Sequence, residues 1–275
     1  MPAMPVLAVF CDFDGTFARQ DVGSTLAARY AADRRPAQWA RFERDEITAW
    51  EYNLEILDGL PVGLDVLEAF LATVELDPGA RDLLAWCGGH SVPFRILSDG
   101  FDWNLDRLQT LNRIRFAYTA NHLRVEHGKW RIRAGAPDPT CGCGTGVCKG
   151  HALRTLRAAS PRTHLVHIGN GRVSDTCGAL AADTAFAKDS LAEALEQRGF
   201  PFVRFETLDD VIPHLAQIHA DRDHESSLLC RHARQSRRNC QQVQCRGGFC
   251  LAATIPMSLR CGPATERFRD VDTWL

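Results

Sequence analysis

The carboxylate pair Asp12 and Asp14 is the strongest indication of chemistry in this sequence. The pair follows an apolar run that begins at Val6, and it precedes a Gly15-Thr16 turn. This pattern is typical of a buried parallel strand that ends at a functional loop. A turn directly after Asp12 lets the Asp14 side chain face it across a site. Because ligands of open parallel sheets bind beyond the carboxyl ends of the strands, we predict a catalytic site here rather than a solvated acidic loop.

Polar residues also follow two later apolar runs. Ser98 closes the run that begins at Val92, and Asp99-Gly100 comes next. A third run, residues 164–168, leads into Gly169-Asn170, with Asp175 five residues beyond Asn170. These positions repeat the setting of Asp12, at the carboxyl end of a predicted strand. We therefore assign them to the same site.

Lysine is rare in this chain, because nearly all of its basic residues are arginines. The only lysines are Lys129, Lys149 and Lys188. Lys149 begins a predicted helix, where a surface lysine would be ordinary. We favour a catalytic role because Lys149 lies between the second and third polar groups and because a compact ammonium suits a crowded anionic site.

Alternating strand and helix patterns must position these residues. Apolar runs that predict further strands recur at residues 184–187 and 202–205, with helical patterns between them. This alternation predicts an α/β fold with a doubly wound parallel sheet. Residues 24–74 space their apolar side chains at three and four, which predicts a helical cap. Residues 123–133 alternate in polarity around His127-Gly128, which predicts a small β-hairpin insertion.

We divide the chain into three parts on these patterns. The core comprises residues 1–20 and 86–220, and it carries a hairpin and Cys-rich loop insertion at 119–148. The helical cap comprises residues 21–85. Residues 221–275 form a disordered basic tail that contains cysteines. The tail lacks the interleaved aromatic residues of a nucleic-acid-binding segment, so we do not expect a nucleic-acid partner.

The composition limits the classes of protein to which the chain can belong. Its 275 residues are 45% hydrophobic and 24% charged, which suits one large or two small domains and excludes fibrous and wholly disordered proteins. A net charge of −2 gives no general attraction to nucleic acid or membranes. No apolar run reaches the roughly 20 residues of a membrane helix, and the start lacks a signal-peptide pattern. We therefore expect a cytoplasmic protein with no membrane partner.

In these motifs the sequence resembles the haloacid dehalogenase superfamily of phosphohydrolases over about residues 6–218. The four motifs of that family match, in chain order, Asp12 with Asp14, Ser98, Lys149, and Asn170 with Asp175. The resemblance implies a haloacid dehalogenase-like fold and hydrolysis of a phosphate monoester with Mg²⁺. A phosphomutase or phosphotransferase would share all four motifs. Dehalogenation is disfavoured because Asp14 supplies an acid and base that halide displacement does not need.

The resemblance also implies a role for each matched residue. Asp12 attacks phosphorus, Asp14 is the general acid and base, and Ser98 donates a hydrogen bond to a phosphoryl oxygen. Lys149 and Mg²⁺ supply the positive charge that a carboxylate needs when it attacks a phosphate. The implied metal ligands are Asp12, Asp14, Asn170 and Asp175. The implied substrate contacts are Asp21, Ser98, Asp99, Gly100 and Lys149.

Asn170 departs from the family pattern, which usually has Asp at this position. An amide oxygen can ligate Mg²⁺ but brings no charge, so we expect weaker metal binding and a greater importance of Asp175. The rival hypothesis is a phosphometabolite-binding protein that kept the fold and lost efficient metal chemistry. It predicts ligand binding without turnover.

The helical insertion directly after the first motif resembles the cap of the phosphoserine phosphatase group, where Asp21 matches a substrate-facing acid. Asn121-His122, the Cys-rich loop and residues 186–189 resemble the methionine-salvage branch of that group. The resemblance therefore implies a small phosphorylated metabolite of the methionine-salvage or phosphoserine type. No pattern in the sequence indicates the oligomeric state.

The chain contains 11 cysteines, which in a cytoplasmic protein are free thiols or metal ligands before they are disulfides. Cys141, Cys143 and Cys148 lie within eight positions and could hold Zn²⁺ with a fourth ligand such as Cys177 or His151. The spacing is not a paired Cys-x-x-Cys set, so the sequence favours an ordinary loop of reduced cysteines.

Overall fold

A computed structural model describes residues 7–222 of the chain. One seven-stranded sheet runs through these residues in the order β4-β3-β2-β1-β5-β6-β7. The strands are β1 (Leu7–Cys11), β2 (Phe94–Phe101), β3 (Ala117–Glu126), β4 (Lys129–Arg133), β5 (His164–Gly169), β6 (Thr184–Ala187) and β7 (Val203–Arg204). Neighbouring strands pair in parallel except β3 with β4. The predicted α/β fold with a doubly wound parallel sheet is confirmed.

Helices connect the strands and form the cap. They are α1 (Val22–Tyr30), α2 (Arg35–Glu43), α3 (Ala49–Leu57), α4 (Leu64–Leu71), α5 (Ala80–Gly89), α6 (Asp102–Asn112), α7 (Lys149–Ala159), α8 (Thr176–Ala181), α9 (Asp189–Gln197) and α10 (residues 208–222). Within residues 7–222, none of the helices has both the length and the apolar character needed to cross a bilayer. The predicted disordered tail lies, apart from its first two residues, outside the described residues.

Strand β1 lies in the middle of the sheet and is buried along its whole length. Leu7 and Val9 belong to a hydrophobic cluster that includes residues of the cap, α5 and α10. Ala8 and Phe10 belong to a second cluster with residues of α7. Successive side chains of a strand point to opposite faces. The continuous apolar run therefore reflects a strand covered by helices on both sides.

The carboxyl ends of three neighbouring strands meet at one edge of the sheet. Ile96 of β2 and Ile168 of β5 flank the last residue of β1. Asp12 follows directly, and its N–H donates to the carbonyl oxygen of Ile168 at 2.9 Å. Ser98 and Asn170 each lie two positions beyond the flanking isoleucines. The strand register thus delivers these polar residues to the same edge.

Strand β2 continues beyond Ser98, where the sequence predicted its end, and reaches Phe101. Leu97 of β2 pairs with Thr119 of β3, whereas Phe101 pairs with Asn121. Four positions along β2 therefore match two along β3, which is a bulge. Bulges redirect side chains beside functional sites, and this one lies where β2 reaches the candidate site.

Strands β3 and β4 form the predicted hairpin. His127 and Gly128 at its turn have φ angles of 50° and 72°, as a type I′ turn requires. The hairpin is longer than predicted, because β3 begins at Ala117 and pairs in parallel with β2 before it pairs with β4. The predicted insertion at 119–148 therefore starts inside a strand of the main sheet.

Trp130 of β4 joins the hairpin to the cap. Its N–H donates to the carbonyl oxygen of Leu60 at 3.0 Å, and its own carbonyl accepts from Gly59 N–H at 2.8 Å. Its indole N–H donates to the carbonyl oxygen of Val62 at 2.9 Å. The ring is fully buried and packs edge-on against Phe101. The loop between α3 and α4 is therefore fastened to the edge of the sheet.

The chain enters and leaves the cap through adjacent segments. Arg19 N–H donates to the carbonyl oxygen of Glu75 at 2.8 Å. Asp77, two residues after Glu75, already contacts the core, because its Oδ1 accepts a hydrogen bond from Leu208 N–H of α10 at 2.9 Å. We therefore propose that the cap ends before α5, and not at residue 85 as the sequence predicted.

Candidate active site

Asp12, Lys149 and Asp175 form a buried chain of ion pairs. Asp12 follows β1, Lys149 is the first residue of α7, and Asp175 is the N-cap of α8. Lys149 Nζ donates to Oδ1 of Asp12 and, at 2.6 Å, to Oδ1 of Asp175. All three residues are buried. The structure thus brings together three predicted site residues from distant parts of the sequence.

The charges in this chain of ion pairs do not balance. Burial alone would lower the pKa of Lys149, but Asp12 and Asp175 outweigh burial and raise it. Burial would raise the pKa of Asp175, but Lys149 outweighs this effect and holds it well below its usual range. Burial and the neighbouring Asp175 raise the pKa of Asp12 to about 7, despite Lys149. One ammonium is therefore insufficient for two buried carboxylates.

The second oxygen of Asp175 holds the loop after β5. Its Oδ2 accepts hydrogen bonds from the N–H groups of Gly171 at 2.8 Å and Asn170 at 3.3 Å. Since Oδ1 accepts from Lys149, both carboxylate oxygens already have donors from the protein. Asp175 therefore connects Lys149 to the loop that carries Asn170, and its role as a metal ligand stays a prediction.

His167 is a site residue that the sequence analysis missed. It lies in β5, fully buried, with Nε2 3.0 Å from Oδ1 of Asp175. Its Nδ1 has no hydrogen-bond partner within residues 7–222, and burial lowers its pKa. A neutral ring that donates from Nε2 to Asp175 fits this setting. The available signal was a histidine inside an otherwise apolar predicted strand.

Asp14 faces the start of the cap and the end of β2. Its Oδ1 accepts from Val22 N–H at 2.9 Å, and its Oδ2 accepts from Ser98 Oγ at 3.3 Å. Gly100 lies against this contact, because a Cβ there would come within 2.8 Å of Asp14 Oδ2 and 3.0 Å of Ser98 Oγ. The bulge in β2 therefore places Ser98 and Gly100 directly beside the carboxyl group of Asp14. The sequence predicted that these three residues belong to the same site.

The environment of Asp14 favours its protonated form. Burial raises the pKa of Asp14, and the charges of Asp21 and Asp12 raise it further. Asp21 itself is exposed and caps α1, where its Oδ1 accepts from Ser24 N–H at 2.7 Å. Asp21 thus lies close enough to influence Asp14, while its predicted contact with substrate stays a prediction.

Asn170 lies against the loop that carries the two aspartates. Its side-chain amide occupies the space that a Cβ at Gly15 would take, and Gly15 has a φ of 79°. Thr16 Oγ1 donates to Asn170 Oδ1 at 3.2 Å, and Asn170 Nδ2 donates to Asp189 Oδ2 at 3.3 Å. Asp189 has a positive φ of 47°. A non-glycine residue in this conformation often marks a functional site.

Asp99 connects four segments around the site. Its Oδ1 accepts from Asn121 Nδ2 at 3.0 Å, from Gly146 N–H at 2.9 Å and from Val147 N–H at 3.1 Å. Its Oδ2 accepts from Asn53 Nδ2 of α3 at 3.4 Å. Asp99 therefore links β2 to β3, the Cys-rich loop and the cap. Its predicted contact with substrate stays a prediction beside this connecting role.

Oxygen atoms around the site suit a hard divalent cation. Asp12 offers a carboxylate oxygen, Asp14 a main-chain carbonyl oxygen, and Asn170, which lies against Gly15 in the same loop, an amide oxygen. Magnesium prefers oxygen ligands of this kind. A divalent cation would also supply positive charge beside Asp12, whose pKa is raised by burial and by Asp175.

Known proteins similar in sequence are phosphatases, although no family model matches the chain. The chain is 29% identical over 227 residues to the 2-hydroxy-3-keto-5-methylthiopentenyl-1-phosphate phosphatase of Geobacillus thermodenitrificans, which covers 77% of this chain and 96% of the relative. It is 26% identical over 216 residues to the protein of the same name from Brevibacillus brevis, and this match also covers 77% of this chain and 96% of the relative.

Solved structures with a similar fold include phosphoserine phosphatases. One of them, titled the phospho-aspartyl intermediate analogue of phosphoserine phosphatase, superposes with a TM-score of 0.57 at 15% identity. The match covers 77% of this chain and 99% of that chain. The chain is thus similar in sequence to named phosphatases and similar in fold to phosphoserine phosphatases, and we class it as a phosphoric monoester hydrolase.

Proposed function

We propose that this protein is a Mg²⁺-dependent phosphatase that hydrolyses a small phosphate monoester through an aspartyl-phosphate on Asp12. The observation that carries the proposal is the position of Asp12, which directly follows the central strand, contacts the buried ammonium of Lys149 and lies two residues from Asp14. A nucleophile, a cation and an acid therefore meet at one sheet edge. The fold similarity to a phospho-aspartyl analogue of phosphoserine phosphatase supports the same assignment.

Asp12 serves as the nucleophile in this proposal. One of its oxygens forms a bond to phosphorus while the bond between phosphorus and the leaving alkoxide breaks. Attack by a carboxylate on a phosphate dianion is opposed by repulsion, and Lys149 reduces it because its charge is fixed in place before the substrate arrives. The covalent intermediate divides a difficult displacement into two easier ones.

Asp14 serves as the general acid and then the general base. Its raised pKa favours the protonated form that donates a proton to the leaving alkoxide. The resulting carboxylate then accepts a proton from the water that attacks the aspartyl-phosphate. Ser98 Oγ, beside Asp14, is placed to donate a hydrogen bond to a phosphoryl oxygen.

Asp12 and Asn170 would hold Mg²⁺ through side-chain oxygens and Asp14 through its main-chain carbonyl oxygen, which leaves the Asp14 side chain free for proton transfer, and Asp175 is a further candidate. When bound, the ion supplies positive charge to the phosphoryl oxygens and so reduces repulsion of the nucleophile. The protein contributes a set of oxygen donors whose charges are incompletely balanced by Lys149.

The substrate we propose is a small phosphorylated metabolite. The curated relatives are named for 2-hydroxy-3-keto-5-methylthiopentenyl-1-phosphate and match over 96% of their length, which supports that compound or a close analogue. Phosphoserine is the second choice, because the neighbours in fold include phosphoserine phosphatases. Such metabolites are intracellular, so we also propose a cytoplasmic location.

Hydrolysis of p-nitrophenyl phosphate tests the mechanism before the substrate is known. We expect turnover with Mg²⁺, its loss with EDTA, its recovery on adding Mg²⁺, and no turnover in Asp12→Asn. The matched control is Asp33→Asn, which removes an exposed carboxylate of the cap and should leave activity unchanged. In Asp14→Asn, mass spectrometry after an acid quench should detect phosphate on Asp12, since hydrolysis of the aspartyl-phosphate lacks its base.

The rival function is a phosphometabolite-binding protein without turnover. The observation that favours it is Asn170, which contributes no charge where the family pattern has an acid. This function predicts that 2-hydroxy-3-keto-5-methylthiopentenyl-1-phosphate or phosphoserine binds in calorimetry while no phosphate is released. Release of phosphate in step with the alcohol excludes both this function and transfer to another acceptor.

A further inference from the structure

Four cysteine side chains meet where the start of α7 packs against α8. Cys141 and Cys143 lie in the loop before α7, Cys148 is the N-cap of α7, and Cys177 is the second residue of α8. Their four Sγ atoms all lie within 4.8 Å of one another, and all four thiols are free. Of the two fourth ligands that the sequence suggested, the structure brings Cys177 into the group and not His151.

This arrangement fits a tetrahedral zinc-thiolate site. With zinc–sulfur bonds of about 2.3 Å, the sulfur atoms of a tetrahedral site lie about 3.8 Å apart. Sγ atoms already within 4.8 Å need only small side-chain movements to reach that geometry. We propose that Cys141, Cys143, Cys148 and Cys177 bind one Zn²⁺. Four protein ligands complete the coordination, as in structural rather than catalytic zinc sites.

Backbone N–H groups donate hydrogen bonds to two of the four sulfur atoms. Gly150 N–H donates to Cys177 Sγ at 3.3 Å, and His151 N–H approaches Cys148 Sγ at 3.4 Å. Cys143 Sγ lies 3.3 Å from Thr145 Oγ1, whose own hydrogen is donated to the carbonyl oxygen of Val147 at 2.9 Å. The N-terminus of α7, an 11-residue helix, adds partial positive charge beside Cys148. Thiolates are the form in which cysteine binds zinc.

The loop that carries the cysteines is held by contacts of its own. Asp138 accepts hydrogen bonds from the N–H of Thr140 at 2.9 Å and from Arg154 Nη2 of α7 at 2.8 Å. Cys148 N–H donates to the carbonyl oxygen of Ala136 at 2.8 Å. These contacts position the sulfur atoms independently of any metal, so the site is largely preformed.

The zinc site and the proposed magnesium site use opposite ligand chemistry. Thiolates are soft ligands that select zinc, whereas the carboxylate and amide oxygens around Asp12 suit a hard cation. The two ions therefore do not compete for the same residues. The zinc proposal also stands without the proposed phosphatase activity, because zinc content is measured without a substrate.

The position of the cluster gives the zinc a defined structural role. Lys149 directly follows Cys148, and Asp175 lies two residues before Cys177. Zinc would therefore fasten together the two chain segments that carry the partners of the buried ion pair. Metal binding of this kind contributes directly to the stability of the folded state.

Metal analysis of the full chain tests the proposal. The protein is purified under reducing conditions with added zinc, dialysed against a weak chelator and analysed for metal by mass spectrometry. We expect about one zinc per chain in the wild type and almost none in Cys143→Ser or Cys177→Ser. Cys87→Ala, which removes a buried thiol of α5, should retain the zinc.

Cysteines outside the described residues require a second control. A full-length variant with serine at the five later cysteines, Cys230, Cys240, Cys245, Cys250 and Cys261, should keep one zinc per chain. Loss of zinc from this variant, or retention of zinc in both Cys143→Ser and Cys177→Ser, would overturn the assignment to the cluster.

Cobalt substitution of the wild type keeps the proposal testable if the serine variants fail to fold. After zinc is released with an organomercurial and replaced by Co²⁺, we expect the intense visible and charge-transfer bands of a tetrahedral tetrathiolate. A cobalt spectrum without thiolate bands, or a wild-type protein that holds no zinc and shows disulfides among these cysteines by peptide mapping, would overturn it.

Discussion

Lys149 Nζ lies 2.6 Å from Oδ1 of Asp175, and both side chains are completely buried. Two buried charges lose their hydration, and each then depends on the other for compensation. Lys149 also contacts Asp12, so the nucleophile and Asp175 share one ammonium. The stability of the fold and the reactivity of Asp12 therefore depend on the same pair.

Replacing Asp175 with Asn should destabilise the protein and reduce turnover together. Removing one partner of a buried ion pair costs about 3–5 kcal/mol, which should appear as a lower free energy of unfolding in urea. Asp183→Asn is the control, because Asp183 pairs with Arg157 at a partly exposed position and should cost about 1 kcal/mol or less. Equal costs for the two variants would show that Asp12 alone compensates the buried charge of Lys149.

Replacing His167 with Phe should lower kcat more than it changes KM. The phenyl ring fills the space beside Gly178 but cannot donate to Asp175, which then orients Lys149 less well. Loss of such an orienting contact typically reduces activity by about tenfold. His164→Phe in the same strand is the control and should leave kcat unchanged. A change in KM alone in His167→Phe would contradict a positioning role.

Adding one methyl group at Gly100 should impair the reaction. In Gly100→Ala the Cβ comes within 2.8 Å of Asp14 Oδ2, so the general acid must move, and we expect a large fall in kcat. Gly88→Ala in α5 meets no atom within 4 Å and should stabilise the protein by about 0.5–1 kcal/mol. Full activity in Gly100→Ala would show that Asp14 tolerates displacement.

Replacing Asn170 with Asp should strengthen magnesium binding. The variant adds a negative charge beside Gly15 and near Asp189, and a cation would relieve the repulsion. We expect the Mg²⁺ concentration for half-maximal activity to fall about tenfold, as added ligand charge generally increases affinity. An unchanged Mg²⁺ dependence would mean that residue 170 does not face the ion.

The sequence predicted the parts of the site that are encoded locally. Asp12, Ser98 and Asn170 each end or follow an apolar run, and parallel strands bring their carboxyl ends to one edge whatever their separation in sequence. Lys149 was identified by its rarity and by its place in the order of motifs. In the structure Lys149 contacts Asp12 and Ser98 contacts Asp14.

Contacts that depend on how distant elements pack could not be predicted. Cys177 joins the cysteine loop only because α8 packs on α7, and the choice between Cys177 and His151 remained open. His167 and Asp99 acquire their partners from segments that no local pattern connects to them. The bulge in β2 likewise depends on its pairing with β3.

The backbone ladder between Trp130 and the loop at residues 59–60 restricts how the cap can move. Besides the crossing of Arg19 with Glu75, backbone hydrogen bonds attach the cap at the ladder with β4 and at Trp50, whose N–H donates to the carbonyl oxygen of Gly144 at 2.8 Å. Strand β4 lies three strands from β1, or about 14 Å across the sheet. Lifting the cap from the sheet would break these backbone hydrogen bonds, so the cap cannot swing open about the Arg19–Glu75 crossing without losing the ladder.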